Sequence, residues 1–182
     1  DRVEPKCPVA RKCGSCQIQE MRYEAQLAFK QKMVQNNLER IGGLSDFEMY
    51  PVIGMETPYA YRNKAQFPVG EDKDGNIVIG FYAGRTHHIV EQTDCCIGAP
   101  ENGEVLRKVK AYMQKNQIRP YNEEHHSGIV RHILIRTGYH TKEIMVCLIV
   151  NAAKASCLKN AEQLTESLRE MDGMTSVMVN FN

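Results

Sequence analysis

The sequence predicts an α+β domain with a mostly antiparallel sheet, flanking helices and a cysteine-bearing loop at its N-terminal end. Three observations carry that prediction. Two pairs of short apolar runs are each joined across a glycine turn, which is hairpin patterning. The order of periodic segments is helix, three strands, helix, two strands, helix, strand, which suits an α+β chain. Three of the seven cysteines fall within the ten residues from Cys7 to Cys16. A chain of 182 residues can bury a core, and its 42% apolar and 25% charged content excludes collagen-like, mucin-like and broadly disordered polymers.

Residues 7–16 contain Pro8, Gly14 and Ser15 and show neither helical nor strand period, so they form a loop. Over residues 19–41 the apolar positions Tyr23, Leu27, Val34, Leu38 and Ile41 recur at steps of three, four and seven. That is a helix, closed by Gly42-Gly43, because glycine accepts the left-handed backbone that ends helices. Residues 44–58 are an irregular connection with a short strand near 50–53. Residues 61–69 and 77–83 are strands joined by a turn at Asp74-Gly75, and 88–91 is a third strand. Residues 104–115 form a helix with Val105, Leu106, Val109 and Met113 inward. A second hairpin pairs 129–137 with 143–151 about Gly138, and its near-continuous apolar run over 144–150 predicts a strand covered on both faces. Residues 155–171 form a helix capped by Ser156 or a neighbour, and 176–181 form a last strand. The chain thus divides into a cysteine loop (1–18), a linking helix (19–43) and an α+β body (44–182). It opens without Met and closes on an uncapped strand, so truncation at both ends is expected.

No apolar run approaches the roughly 20 residues that cross a bilayer, and no signal peptide opens the chain. The expected compartment is the cytoplasm, with no membrane partner. A net charge of +1 gives no global basic field, although residues 1–40 hold eight Lys/Arg against five Asp/Glu. An odd number of cysteines without an export signal argues against a disulfide framework, and a tight cysteine group in a reducing compartment points to metal. The spacing is Cys7-x5-Cys13-Gly14-Ser15-Cys16, with Cys95 as a remote fourth in Thr93-Asp94-Cys95-Cys96-Ile97. Four thiolates suit Zn²⁺ or an iron–sulfur cluster. The x5 gap departs from paired zinc arms, and three close cysteines plus one distant one is nearer the ferredoxin arrangement. Cluster, zinc and free thiols all remain open on spacing alone, and Cys13-Gly14-Ser15-Cys16 also has the spacing of thiol–redox sites.

The motif Cys7-x5-Cys13-Gly14-x-Cys16-Gln17, followed by the helix near Tyr23, resembles the iron–sulfur members of the RNA uracil-5-methyltransferases of the 23S rRNA type. Further segments agree in order. These are Tyr61-Arg62-Asn63-Lys64-Ala65-Gln66-Phe67, the stretch from Gly80-Phe81-Tyr82 to His87-His88-Ile89-Val90, the Cys95 segment and Val130-Arg131-His132-Ile133-Leu134-Ile135-Arg136. The resemblance implies a [4Fe–4S] cluster on Cys7, Cys13, Cys16 and Cys95. The family's fourth ligand is typically followed by Pro, so Cys96 takes the Pro position and Cys95 matches the ligand. It also implies rRNA as partner and S-adenosylmethionine as the methyl donor of the full-length parent. In the family a β-barrel domain precedes this region and a methyltransferase domain follows it. The nucleophilic cysteine that adds to uracil C6 and the base that removes the C5 proton belong to the latter. No glycine-rich strand–turn–helix segment able to seat a nucleoside cofactor occurs in this chain. The chain therefore reads as a central domain, not catalytic by itself, and no catalytic residue is assigned to it. The alternative is a non-catalytic zinc or iron–sulfur RNA-binding module.

The remaining candidates are electrostatic. Arg62 and Lys64 alternate on one predicted strand face and Arg131 alternates with Ile133 and Ile135 on another. They are either a solvated face or phosphate contacts, and the resemblance together with Tyr61 and Phe67 favours RNA binding. Arg11, Lys12 and Arg22 add positive charge beside the cysteine loop. Cys147 reads as a buried hydrophobe, Cys157 as packing, and His87-His88 and His125-His126 as loop residues. The stripe on the 19–41 helix needs an apolar cover. Without the neighbouring domain it is expected either to pair with a second copy, giving a dimer, or to stay mobile.

Overall fold

The computed structural model describes all residues, 1–182. Helix α1 (Tyr23–Asn36) runs on into a π-helical turn (Asn37–Ile41). Then come β1 (Lys64–Glu71), β2 (Ile77–Tyr82), β3 (Ile89–Glu91), α2 (Asn102–Lys115), β4 (Val130–Thr137), β5 (Ile144–Val150), α3 (Ala161–Arg169) and β6 (Met174–Phe181). The strands make one six-stranded sheet in the order β3-β2-β1-β4-β5-β6. Every neighbouring pair is antiparallel except β5 and β6, which are parallel. The sheet is therefore mixed. Its one parallel pair needs a crossover connection, and α3 supplies it.

Period-2 alternation directs Ala65, Phe67 and Val69 of β1, Ile77, Ile79 and Phe81 of β2 and Ile144, Val146 and Leu148 of β5 to one face. There Phe67 meets Phe81 with ring centroids 4.9 Å apart. Helices α2 and α3 cover this face with Val105, Leu106, Val109, Met113, Leu164 and Leu168, all buried. The inward face of α2 is the one its spacing predicts.

The other face of the sheet carries Lys64 and Gln66, His132, Leu134 and Arg136, Met145 and Ile149, and Met178, all at least partly exposed. The apolar run of β5 is thus covered by helices on one side only, contrary to the two-sided burial expected from its composition. Cys147 is buried on the other side by its strand neighbours.

Several boundaries differ from those expected, and each difference has a local cause. The last helix starts at Ala161, not 155, because Asn160 adopts a left-handed backbone with φ 52°. Only one short 3₁₀ turn (Ala155–Cys157) forms before it, so Ser156 caps no α-helix. The connection is tied to α2 instead: Tyr112 Oη donates to the Lys159 carbonyl at 2.8 Å and Asn160 Nδ2 to Asn116 Oδ1 at 2.7 Å. Burial pushes the Tyr112 phenol up to about 12. In β4 the register shifts between Val130 and His132, so Arg131 is the extra residue of a bulge and leaves the face of Ile133 and Ile135.

No strand forms near 50–53. That segment lies along α1, where the Met55 N–H donates to Tyr23 Oη at 2.7 Å and the Val52 N–H to Gln31 Oε1 at 3.3 Å. The helix itself begins at Tyr23, the first residue of its apolar period and four residues later than the expected start at 19, and buries no residue. Its apolar side chains lie on two sides, with Phe29 and Met33 away from the Tyr23 stripe. Val34 of the stripe is still 47% exposed, and Ile41, in the turn beyond, 82%.

Candidate metal centre

The cysteine loop is a series of tight turns docked on the end of β2. The Cys13 N–H donates to the Val9 carbonyl at 2.8 Å, and the Gly14 N–H donates to the Tyr82 carbonyl at 3.0 Å. Glycine is needed at position 14: a Cβ there would lie 2.9 Å from Gly84 Cα and 3.0 Å from the Tyr82 oxygen. A second segment, between β3 and α2, brings Cys95 and Cys96. It is held by the Ala60 N–H on the Cys96 carbonyl at 3.0 Å and the Arg62 N–H on the Ile97 carbonyl at 2.9 Å. The two segments meet.

Five thiols crowd this junction, all of them free. Burial pushes the Cys16 thiol up, as does negative charge on Cys95 and Cys13, while Arg62 works in the opposite sense. Burial likewise pushes Cys96 up, helped by Cys7 and Cys95. The four cysteines singled out by spacing are therefore neighbours, and Cys96 joins them as a fifth. No three side chains of His, Cys, Asp or Glu converge on a single-ion site. Tetrahedral zinc with Zn–S of about 2.3 Å would hold its sulfurs within about 3.8 Å of one another. Free thiols gathered at one junction are soft donors of the kind that suit either Zn²⁺ or an iron–sulfur cluster.

Two residues of this site carry no signal in cysteine spacing. The Gln19 Oε1 accepts the Cys7 N–H at 3.0 Å, while its Nε2 reaches Cys16 Sγ at 3.7 Å and Cys96 Sγ at 3.6 Å. Gln92 Nε2 donates to the Asp94 carbonyl at 3.0 Å and reaches Cys7 Sγ at 3.7 Å. A place three residues after Cys16 was the only available hint for Gln19.

The basic residues fall in three separate places. Arg62 precedes β1, half-buried beside the cysteines, so it does not share a strand face with Lys64. Lys64 is exposed on the uncovered sheet face, directly opposite Arg136. Arg131, in its bulge, lies 4.4 Å over the Tyr121 ring. It lies beyond the Pro68–His132 pair, which is itself four residues and about 13 Å along the ladder from Lys64. Near the loop, Arg11 is paired with Glu20 at 2.7 Å and with Glu4 at 3.1 Å, and Arg22 with Asp1 at 2.7 Å. These partners offset much of the local positive charge.

Cys147 and Cys157 lie outside the centre, each pushed up by burial. His87 stacks on Tyr82 and pairs with Glu123 at 2.7 Å, holding that carboxyl below its usual range. No helix is long and apolar enough to cross a membrane.

No protein-family model matches the sequence. The chain is 44% identical to an uncharacterized RNA methyltransferase of Halalkalibacterium halodurans, 41% identical to one of Bacillus cereus and 40% identical to one of Clostridium tetani. Each match takes in the whole chain, which spans 39% of the relative's length. Among solved structures it is similar to the tRNA (uracil-54, C5)-methyltransferase of Pyrococcus abyssi in complex with S-adenosyl-L-homocysteine. That likeness has a TM-score of 0.70 and 25% identity over 97% of this chain and 38% of the other.

Proposed function

We propose that this chain is the central iron–sulfur domain of an S-adenosylmethionine-dependent RNA uracil-5-methyltransferase acting on ribosomal RNA in the cytoplasm. The observation that carries the reading is the meeting of the Cys7–Cys16 loop with the Cys95-Cys96 segment some 80 residues away, bridged by Gln19 from Cys16 to Cys96 and by Gln92 to Cys7, on a chain that matches RNA methyltransferases along its whole length. Those four cysteines would hold a [4Fe–4S] cluster, which when bound supplies a fixed cross-link between the loop and the turn after β3. The residues of this chain position RNA: Arg62 beside the cysteines, Lys64 and Arg136 on the open sheet face, and Arg131 at the bulge. Methyl transfer itself is assigned to sequence outside this chain. No glycine-rich strand–turn–helix motif is read in this sequence, and no chemical step is placed on its residues.

The test is fluorescence anisotropy with a uridine-bearing ribosomal RNA hairpin and with a tRNA transcript over a range of salt, beside a methyl-transfer assay. The expected result is salt-sensitive binding, tighter for the ribosomal hairpin, and no transfer by this chain alone. Failure to bind either RNA contradicts the RNA role, and tighter tRNA binding contradicts the ribosomal target. Methyl transfer by the chain alone contradicts the division of labour.

A further inference from the structure

The sulfurs of the cysteine centre are held from outside by two neutral amides whose orientations are locked. The Cys7 N–H can only donate, so the oxygen of Gln19 must face it, at 3.0 Å. That leaves the NH₂ group of Gln19 turned to Cys16 Sγ and Cys96 Sγ, one from each of the two converging segments, at 3.7 and 3.6 Å. Gln92 is locked in the opposite sense. The Asp94 carbonyl can only accept, so the NH₂ of Gln92 faces it at 3.0 Å and offers its second hydrogen to Cys7 Sγ at 3.7 Å. Three of the five sulfurs thus have a fixed N–H donor, and both glutamines are half-buried at the junction.

A neutral thiol is a weak acceptor and does little for two oriented amides. A thiolate bound to metal is a strong one, since hydrogen bonds to ionised acceptors are about twice as strong as neutral ones. A carboxamide is also well chosen chemically: it adds no charge, does not titrate and does not displace a thiolate from iron. We propose that Gln19, with Gln92 beside it, is a positioning residue of the cysteine centre. It donates N–H···S bonds to the ligand Cys16 and to Cys96 beside it, as Gln92 does to the ligand Cys7, which favours charged, metal-bound sulfur at Cys16 and Cys7, and its oxygen anchors the start of the loop. This rests on the cluster reading given above. Donors to cluster sulfurs are among the factors that set an iron–sulfur potential, and withdrawing electron density from sulfur favours the reduced form.

The experiment compares the chain with Gln19→Leu, Gln19→Glu, Gln92→Leu and Gln17→Leu, all loaded anaerobically with iron and sulfide. Gln19→Leu loses both functions of the amide. Gln19→Glu keeps an oxygen for the Cys7 N–H but loses the donors and adds a negative charge, so Gln19→Leu is the comparison free of added charge. Gln17 lies on the same loop but bonds to the Gly14 carbonyl and to no sulfur, so it is the control. The readouts are reduction potential by protein-film voltammetry and the rate of iron loss to a chelator. Both Gln19 variants are expected to shift the potential negative and to lose iron roughly 10-fold faster or more. Gln92→Leu is expected to do the same to a smaller degree, and Gln17→Leu to match the parent. A loaded parent and a loaded Gln19→Glu with equal potentials and equal iron loss would overturn the role of Gln19 alone. A parent that binds no iron and sulfide overturns the cluster reading and this inference with it.

Discussion

Replacing Gly14 by alanine should lift the cysteine loop off the sheet while leaving the sheet intact. The added Cβ would meet backbone on two sides, at 2.9 Å from Gly84 Cα and 3.0 Å from the Tyr82 oxygen, and neither can swing away as a side chain could. Relief requires the loop to move, which breaks the 3.0 Å bond from the Gly14 N–H to the Tyr82 carbonyl. A lost hydrogen bond of about 1 kcal/mol and overpacking of about 1–3 kcal/mol together weaken docking by about 2–4 kcal/mol. That raises the local opening constant roughly 30- to 700-fold. Gly84→Ala is the matched control, because a Cβ at Gly84 meets only Gly14 Cα at 4.0 Å. Hydrogen exchange at the amides of Cys13 and Gly14 and alkylation rates of Cys13 and Cys16 measure the opening. Thermal unfolding of the core should barely move. Unchanged exchange in Gly14→Ala would refute the docking account.

On the open sheet face, Lys64→Ala and Arg136→Ala should each weaken RNA binding and shallow its salt dependence by about one unit if each meets one phosphate, with Arg62→Ala acting the same way. Titrations at several salt concentrations check this, and unchanged slopes in all three would return them to the solvated surface. Burial of His132, and then the charge of Arg131, hold its folded-state pKa below the ordinary 6.5. The unfolded chain then binds more protons, so stability is complete above about pH 6.5 and falls as pH drops from there toward the folded value. Denaturation with urea at pH 7.5 and 5.5 should show the fall, and His132→Gln should reduce it. Helix α1 buries none of its residues, so its amides should exchange quickly in a monomer. If instead a dimer forms through residues 19–41, light scattering should show Leu27→Lys/Val34→Lys to be monomeric, and a dimer that survives both changes excludes that interface.

Where one face of an element decides its structure, the sequence was readable. Val105, Leu106, Val109 and Met113 mark the buried side of α2 by spacing alone, and Asp74-Gly75 marks the first hairpin, with Gly75 at φ 79°. Tertiary ties overrode local pattern elsewhere. The bonds from Tyr112 and Asn160 delay the start of α3, and the bulge at Arg131 moves a side chain that strict alternation would have placed inward. The run over β5 is apolar on both sides although only one meets helices, since Met145 and Ile149 are half-exposed. At the centre, spacing identified Cys7, Cys13 and Cys16 with Cys95 as a remote fourth, and a resemblance preferred Cys95 to Cys96. Cys96 is readable beside Cys95 in the linear order, whereas the contacts of the two glutamines are properties of the folded junction, hinted at only by the place of Gln19 three residues after Cys16.

The most direct test of the account is the iron and acid-labile sulfide content of the chain purified and loaded under anaerobic conditions, read together with visible absorbance. The account predicts a brown protein with about four iron and four sulfide per chain, as a [4Fe–4S] cluster requires. It also predicts that Cys95→Ser loses most of the chromophore while Cys96→Ser keeps it. Stoichiometric zinc with no sulfide, or a chromophore that survives Cys95→Ser and disappears in Cys96→Ser, would contradict it.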